Sequence, residues 1–172
     1  PETPRLIYGF SGFLNYKNFE FGFAFQGSGK RTFFINPQSI SPFYGDHAML
    51  TAIYEDHWSE DNMSSRPFWP RLSPNNIIAH NPQENWYSGA EVRKSTYFMR
   101  ECSFLRCTSL QLAYNLPKKH INKWKMQNVK FFVTANNPFC FTNFKIWDVE
   151  LGENGFNCPI QKTYSMGINV SF

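Results

Sequence analysis

The side chains with the most chemistry to offer gather in one stretch, where Glu55, Asp56, His57, Glu60 and Asp61 set carboxylates around an imidazole, with His80 further on. Such groups suit a metal ion. A helix-borne zinc site needs His-Glu-x-x-His, which does not occur, and the carboxylate spacing is not that of a calcium loop. A solvated loop face accounts for them. Gly27-Ser28-Gly29-Lys30 has the outline of a phosphate loop, but its first glycine would fall at Ala24 and Arg31 stands where Ser or Thr is needed. A strand entering a loop explains those glycines. Cys102, Cys107, Cys140 and Cys158 match no zinc spacing and no Cys-x-x-Cys. They read as small apolar side chains, and sequence leaves a Cys140–Cys158 disulfide open. Nowhere does a nucleophile fall in pattern with a base and an acid, so neither catalysis nor a cofactor nor a bound metal is expected. Trp58, Trp69, Trp86 and Tyr87 remain, their rings either stacking on a ligand or packing a long loop against itself.

Composition says what kind of scaffold carries these groups. The chain has 172 residues, 17 basic against 13 acidic, and an aromatic share of 19 % with 19 Phe. Mean hydropathy is nonetheless −0.45, and no run approaches the roughly 20 apolar residues of a spanning helix. The net charge of +4 is small and scattered, which argues against nucleic acid. Lys118, Lys119, Lys123 and Lys125 read as a solvated turn, and Asn62-Met63-Ser64 fits a glycosylation acceptor.

Period-two alternation resolves the paradox of an aromatic yet hydrophilic chain. Tyr164, Met166, Ile168, Val170 and Phe172 are apolar, while Ser165, Gly167, Asn169 and Ser171 between them are small or polar. A strand sends alternate side chains to opposite faces, so this terminal segment has one greasy side and one hydrophilic side. Phe19, Phe21, Phe23 and Phe25 repeat the pattern against Glu20, Gly22, Ala24 and Gln26. Four phenylalanines in a row on one face are a severe solubility problem in water and natural against acyl chains. The expected fold is therefore all-β, a transmembrane antiparallel β-barrel.

Five strands are expected, at about 5–16, 18–28, 104–116, 128–140 and 162–172. The first two form a hairpin through Lys17-Asn18. In the third, Leu105 and Cys107 lie in one phase and Leu110, Leu112, Tyr114 and Leu116 in the other, which predicts a β-bulge near Ser109. Pro117 ends that strand, and 118–125 reads as a short basic helical turn. Segments 29–102 and 141–161 lack regularity and read as one long and one shorter extracellular loop. With the C-terminus periplasmic, strand parity puts both long loops outside and both short turns inside.

Several segments resemble the C-terminal end of the SusC/RagA family, the TonB-dependent outer-membrane transporters of Bacteroidetes. Ser103-Phe104-Leu105-Arg106 leading to Leu110-Gln111-Leu112-Ala113-Tyr114-Asn115-Leu116-Pro117 is similar to one family pattern. Val129 to Thr142, with Asn136-Asn137-Pro138-Phe139-Cys140-Phe141, is similar to the next, and Trp147-Asp148-Val149-Glu150 to the one that follows it. Pro159 to Phe172 resembles the closing strand; Trp58-Ser59 with Pro70-Arg71-Leu72 resembles the outer loop before it; Tyr16 to Gly27 resembles a family hairpin. The likeness runs in order through essentially the whole chain. Pro138, Cys107, Thr108, Val149 and Asn115 depart from the patterns, each at a strand end or in a loop.

The resemblance implies that this chain is the last five strands of a roughly 22-stranded barrel, with the N-terminal plug and signal peptide absent from it. The expected function is outer-membrane TonB-dependent import of large nutrients, glycans or peptides. Implied partners are a SusD-like lipoprotein lid, TonB through the missing N-terminal part, and outer-membrane lipid. Glu20, Gln26, Gln111, Asn136 and Asn169 would line the passage, and Trp58, Trp69, Trp86 and Tyr87 would meet substrate or lid. Phe172, with Val170, Ile168, Met166 and Tyr164, would serve as lipid anchor and as the signal for barrel assembly. The alternative is a secreted β-sandwich carbohydrate-binding module, which must cover the Phe19–Phe25 row with a second sheet.

Overall fold

Five long strands, hydrogen-bonded to their neighbours, make one antiparallel sheet in a computed structural model that describes residues 2–43, 48–72, 96–121, 126–153 and 155–172. The strands are β1 (Leu6–Tyr16), β2 (Phe19–Gly29), β5 (Phe104–Asn115), β6 (Asn128–Asn136) and β8 (Thr163–Ser171), in the order β1-β2-β5-β6-β8. Between them lie β3 (Thr32–Phe34) and β4 (Met99–Glu101), which pair with each other, and β7 (Cys140–Thr142), which pairs with β5. Among the described residues helix is confined to short turns: α1 (Pro37–Ile40), α2 (Thr51–Glu55) and α3 (Lys118–Ile121), with 3-10 turns at Thr96–Phe98 and Val149–Leu151. The Lys17-Asn18 turn and the connection over 116–127, which carries α3, lie at one end of the sheet, and the two longer connections at the other. Lys17 takes a positive φ of 53° at the hairpin tip.

Register aligns the apolar side chains of every strand on one face. From the turn end upward, Tyr16, Phe19, Tyr114, Phe131 and Ile168 form one row across the sheet, and Leu14, Phe21, Leu112, Val133 and Met166 the next. Above these come Gly12, Phe23, Leu110, Ala135 and Tyr164, then Phe10 beside Phe25. Rings touch along the way: Phe10 stacks on Phe25 at 5.1 Å between centroids, and Phe19 meets Tyr114 at 4.7 Å. Among the described residues no second sheet covers this face. Met166 is 86 % exposed and Phe172 79 %. A sandwich would bury them, so the module alternative lacks its second layer.

The bulge lies at Thr108. Ala24 pairs with Ser109 and Phe25 with Cys107, so Thr108 has no partner on β2. The extra residue shifts the alternation by one, as a bulge does. It turns Cys107 and Leu105 to the apolar face and Arg106 to the polar one. At the same level the fourth expected strand, 128–140, breaks. Asn137 adopts a φ of 52° and donates its N–H to the Thr108 carbonyl at 3.2 Å, so β6 ends at Asn136 and β7 resumes beside β5. Asn tolerates this left-handed geometry better than most residues, and Pro138 cannot donate to a ladder.

The segment 29–102 departs from the expectation of a structureless loop. Its described parts fold over the end of the sheet as a cap with its own core, holding Phe33, Ile35, Ile40, Ile53, Phe68, Trp69, Phe98 and Cys102, joined by Phe104, Phe144 and Val149. Burying one such aliphatic or aromatic side chain stabilises by roughly 1.5–3 kcal/mol. Aromatic edges interlock there: Phe144 lies 4.9 Å from Trp147 and Phe33 5.3 Å from Phe144. All four cysteines are free, Cys102 and Cys107 buried, Cys140 half-buried and Cys158 exposed, and burial pushes the Cys102 thiol up from its ordinary pKa. No Cys140–Cys158 bridge forms.

Candidate functional site

The polar face of the sheet is built from the residues between the apolar ones. Glu20, Gln26, Gln111, Asn136 and Asn169 all fall on it, because Gln111 pairs with Gly22 and Thr134, Asn136 with Ser109, and Asn169 with Lys130. Side chains join across strands near the turn end. Lys130 Nζ donates to Glu20 Oε2 at 2.6 Å, and Asn115 Nδ2 donates to Glu20 Oε1 at 2.7 Å. Both carboxylate oxygens are thereby occupied. Two rings also lie on this side over glycines: a Cβ at Gly167 would come within 2.5 Å of Phe132, and one at Gly22 within 3.2 Å of Phe13. Glycine there lets each ring lie flat against the backbone.

Sheet and cap are joined by one buried cation. Arg106, 4 % exposed, donates from Nη2 to Asp148 Oδ1 at 2.6 Å and from Nε to Glu150 Oε2. Asp148 also caps its own 3-10 turn by accepting from the Glu150 N–H at 3.1 Å. A guanidinium held by two carboxylates meets the condition for burying charge, namely that it be paired and hydrogen-bonded. The pattern Trp-Asp-x-Glu at 147–150 thus acquires a structural meaning that spacing alone did not reveal. Nothing local signals it: Asp148 lies 42 residues from its partner.

Within the cap, the acidic stretch organises the backbone. Asp56 Oδ2 accepts from the Phe68 N–H at 2.9 Å, Asp56 Oδ1 from Asn62 Nδ2 at 3.2 Å, and the Asp56 carbonyl from the Trp69 N–H at 3.0 Å. His57 contacts the carbonyls of Ile53 and Tyr54 through Nδ1. Among the described residues no group of His, Cys, Asp or Glu is arranged to hold a metal.

The candidate aromatic residues separate. Trp69 is 8 % exposed and packs 5.6 Å from Phe98, a core position rather than an open stacking surface. Trp58 is half-buried, with the Arg71 guanidinium 5.8 Å over its ring. Trp86 and Tyr87 lie outside the described residues, as do His80, Lys123 and Lys125. The closing residues Tyr164, Met166, Ile168 and Phe172 are exposed on the apolar edge, and Val170 pairs with Val129. Two open depressions flank the cap. One, of about 550 Å³, has Tyr8, Leu105, Phe141 and Lys145 on its walls; the other, of about 420 Å³, sets Arg66 and Arg100 beside Asp56 and Glu101, with Phe68 and Met99.

No family model matches the chain. It is 25 % identical to TonB-dependent receptor P26 of Formosa agariphila, over 98 % of this chain and 17 % of that protein. It is 25 % identical to TonB-dependent receptor SusC of Bacteroides thetaiotaomicron, over 97 % of this chain and 15 % of that protein. A structure of the RagAB peptide transporter superposes on 99 % of this chain and 18 % of its own, with a TM-score of 0.65 and 22 % identity. The RagAB peptide importer in its 'open-open' state gives a TM-score of 0.62. The chain thus spans about a sixth of the length of the curated relatives it matches. The chain is thus similar in sequence to TonB-dependent receptors, SusC among them, and shares the fold of a segment of the RagAB transporter structure.

Proposed function

We propose that this chain forms part of the wall of an outer-membrane barrel that imports large nutrients, glycans or peptides, in a TonB-dependent manner. The observation that carries the proposal is the sheet's uncovered apolar face, continuous over five strands while the opposite face is polar. Water disfavours such a face, and hydrocarbon solvates it. The polar face, with Glu20, Gln26, Gln111, Asn136 and Asn169, then borders the passage, and the cap stands outside the cell. That orientation leaves the C-terminus periplasmic, with Phe172 as lipid anchor and assembly signal.

A SusD-like lipoprotein lid would sit over the cap, and TonB would act through protein outside this chain. Trp58 is the aromatic candidate for contact with substrate or lid. Import, not catalysis, is the activity proposed.

The test uses the intact receptor. It is expected to need detergent, and spin labels at positions 133 and 166 are expected to be accessible to oxygen dissolved in lipid. Labels at 134 and 165 are expected to contact water-soluble nickel chelates instead. A protein monodisperse in plain buffer, or a reversed accessibility pattern, would overturn the reading.

A further inference from the structure

The two ends of the sheet differ in charge. In sequence, the strands below the bulge and their turns take up 11–24, 109–136 and 163–172. These segments hold Lys17, Lys118, Lys119, Lys123, Lys125 and Lys130 but a single acid, Glu20. All other acids of the chain fall at position 2, in 45–101 or in 148–153. Lys123 and Lys125 add to the excess from outside the described residues. Glu20 is already committed, since Lys130 Nζ donates to its Oε2 at 2.6 Å and Asn115 Nδ2 to its Oε1 at 2.7 Å. Among the described residues Lys17, Lys118 and Lys119 form no ion pair. No acid in the neighbouring sequence offers to balance them.

Hydrogen bonds gather these three lysines at one end of the sheet. The Asn115 N–H donates to the Asn18 carbonyl at 2.8 Å, which ties the hairpin tip to the end of β5. Pro117 follows, and α3 starts at once, with the His120 N–H donating to the Pro117 carbonyl at 3.0 Å. Ile121 is 1 % exposed and seats this turn, while Lys118 and Lys119 are exposed. Lys17 Nζ lies 5.3 Å from the centre of the Tyr16 ring. Tyr16 stands in the row of the apolar face that also holds Phe19, Phe131 and Ile168, all exposed. This cation is therefore held at the border between the greasy face and the charged turns. Such a border suits a molecule that is anionic at one end and apolar beyond it. A phospholipid of net negative charge is one: its phosphate would meet the lysines, and its chains would run over Leu14, Phe21, Leu112 and Val133 in the next row. An acidic polypeptide would answer the charge and leave the rings uncovered. We propose that the turn end of this sheet binds the headgroups of anionic phospholipid in the leaflet it meets. This rests on the membrane reading of the apolar face.

The experiment places the intact receptor in nanodiscs of phosphatidylcholine, with and without admixed phosphatidylglycerol, and follows amide hydrogen exchange segment by segment. Exchange over 16–19 and 116–121 is expected to slow about five-fold with phosphatidylglycerol, the change that roughly one lysine–headgroup contact supports, and high salt is expected to shrink the difference. The triple variant Lys17→Gln, Lys118→Gln, Lys119→Gln is expected to lose it. The matching triple change to Arg is expected to keep it, because charge and not shape is read. All three positions are exposed, so neither variant disturbs the core. Equal exchange in the two lipids, or an equal response in the Gln variant, overturns the proposal. Slowing by soluble polyaspartate with none by phosphatidylglycerol assigns the surface to an acidic polypeptide and overturns it too. A receptor that enters the discs and shows no lipid difference loses this proposal alone; one that does not enter them loses the membrane reading and this proposal with it.

Discussion

The sheet and the cap are opposites in where they put apolar side chains. In the sheet, Met166 and Leu14 project outward, exposed among the described residues. In the cap, Ile40 and Ile53 are sealed completely and the polar groups form the rim. The two regions share one chain, and what separates them is the arrangement of their apolar residues. Strand alternation sorts side chains onto two faces and leaves the apolar one uncovered by the described residues, whereas the cap folds turns and edge strands around a centre. Hydrophobic content alone identifies neither a core nor a membrane surface; the local period together with long-range contacts does.

Substitutions can break this comparison. The largest effect is expected at Ile53→Ala, where a fully buried side chain leaves a cavity worth about 3–4 kcal/mol. Limited proteolysis of the intact receptor should then cut within 29–102, while the heat-modifiable gel mobility of the barrel persists. Simultaneous loss of both would show that sheet and cap are one cooperative unit. Arg106→Ala comes next, at about 3 kcal/mol, because Asp148 and Glu150 would face each other without their cation. Hydrogen exchange should quicken at residues 144–151 and stay slow in 129–135.

Met166→Arg sharpens the contrast between membrane and water. In water, a side chain already 86 % exposed could be replaced at no cost. Facing hydrocarbon, the change should cost about 2 kcal/mol in refolding into vesicles, and Ser165→Arg on the other face well under about 1 kcal/mol. Equal costs would refute the assignment of faces. The smallest effect is chemical: a maleimide should label Cys158 at once and Cys102 only after the cap unfolds, since burial both shields that thiol and disfavours its reactive thiolate.

How far the sequence could be read follows the same division. Alternation at Phe19–Phe25 and Tyr164–Phe172 shows each residue's face from its neighbours alone, because strand geometry is local. The phase change between Cys107 and Leu110 disclosed the bulge for the same reason. The cap was opaque because its contacts are distant: β3 pairs with β4 across 29–102, and Phe33 meets Phe144. The strand break at Asn137 depended on one positive φ beside the bulge.

Thr108 carries a consequence out of proportion to its size. Every side chain from Ser103 to Cys107 takes its inward or outward sense from that one uncounted residue. Deleting it would transpose the frame above it, sending the Arg106 guanidinium to the apolar face and Leu105 to the polar one, and the tether to Asp148 and Glu150 would part. A single-codon deletion would thus unmoor the cap while leaving the strands below it in register.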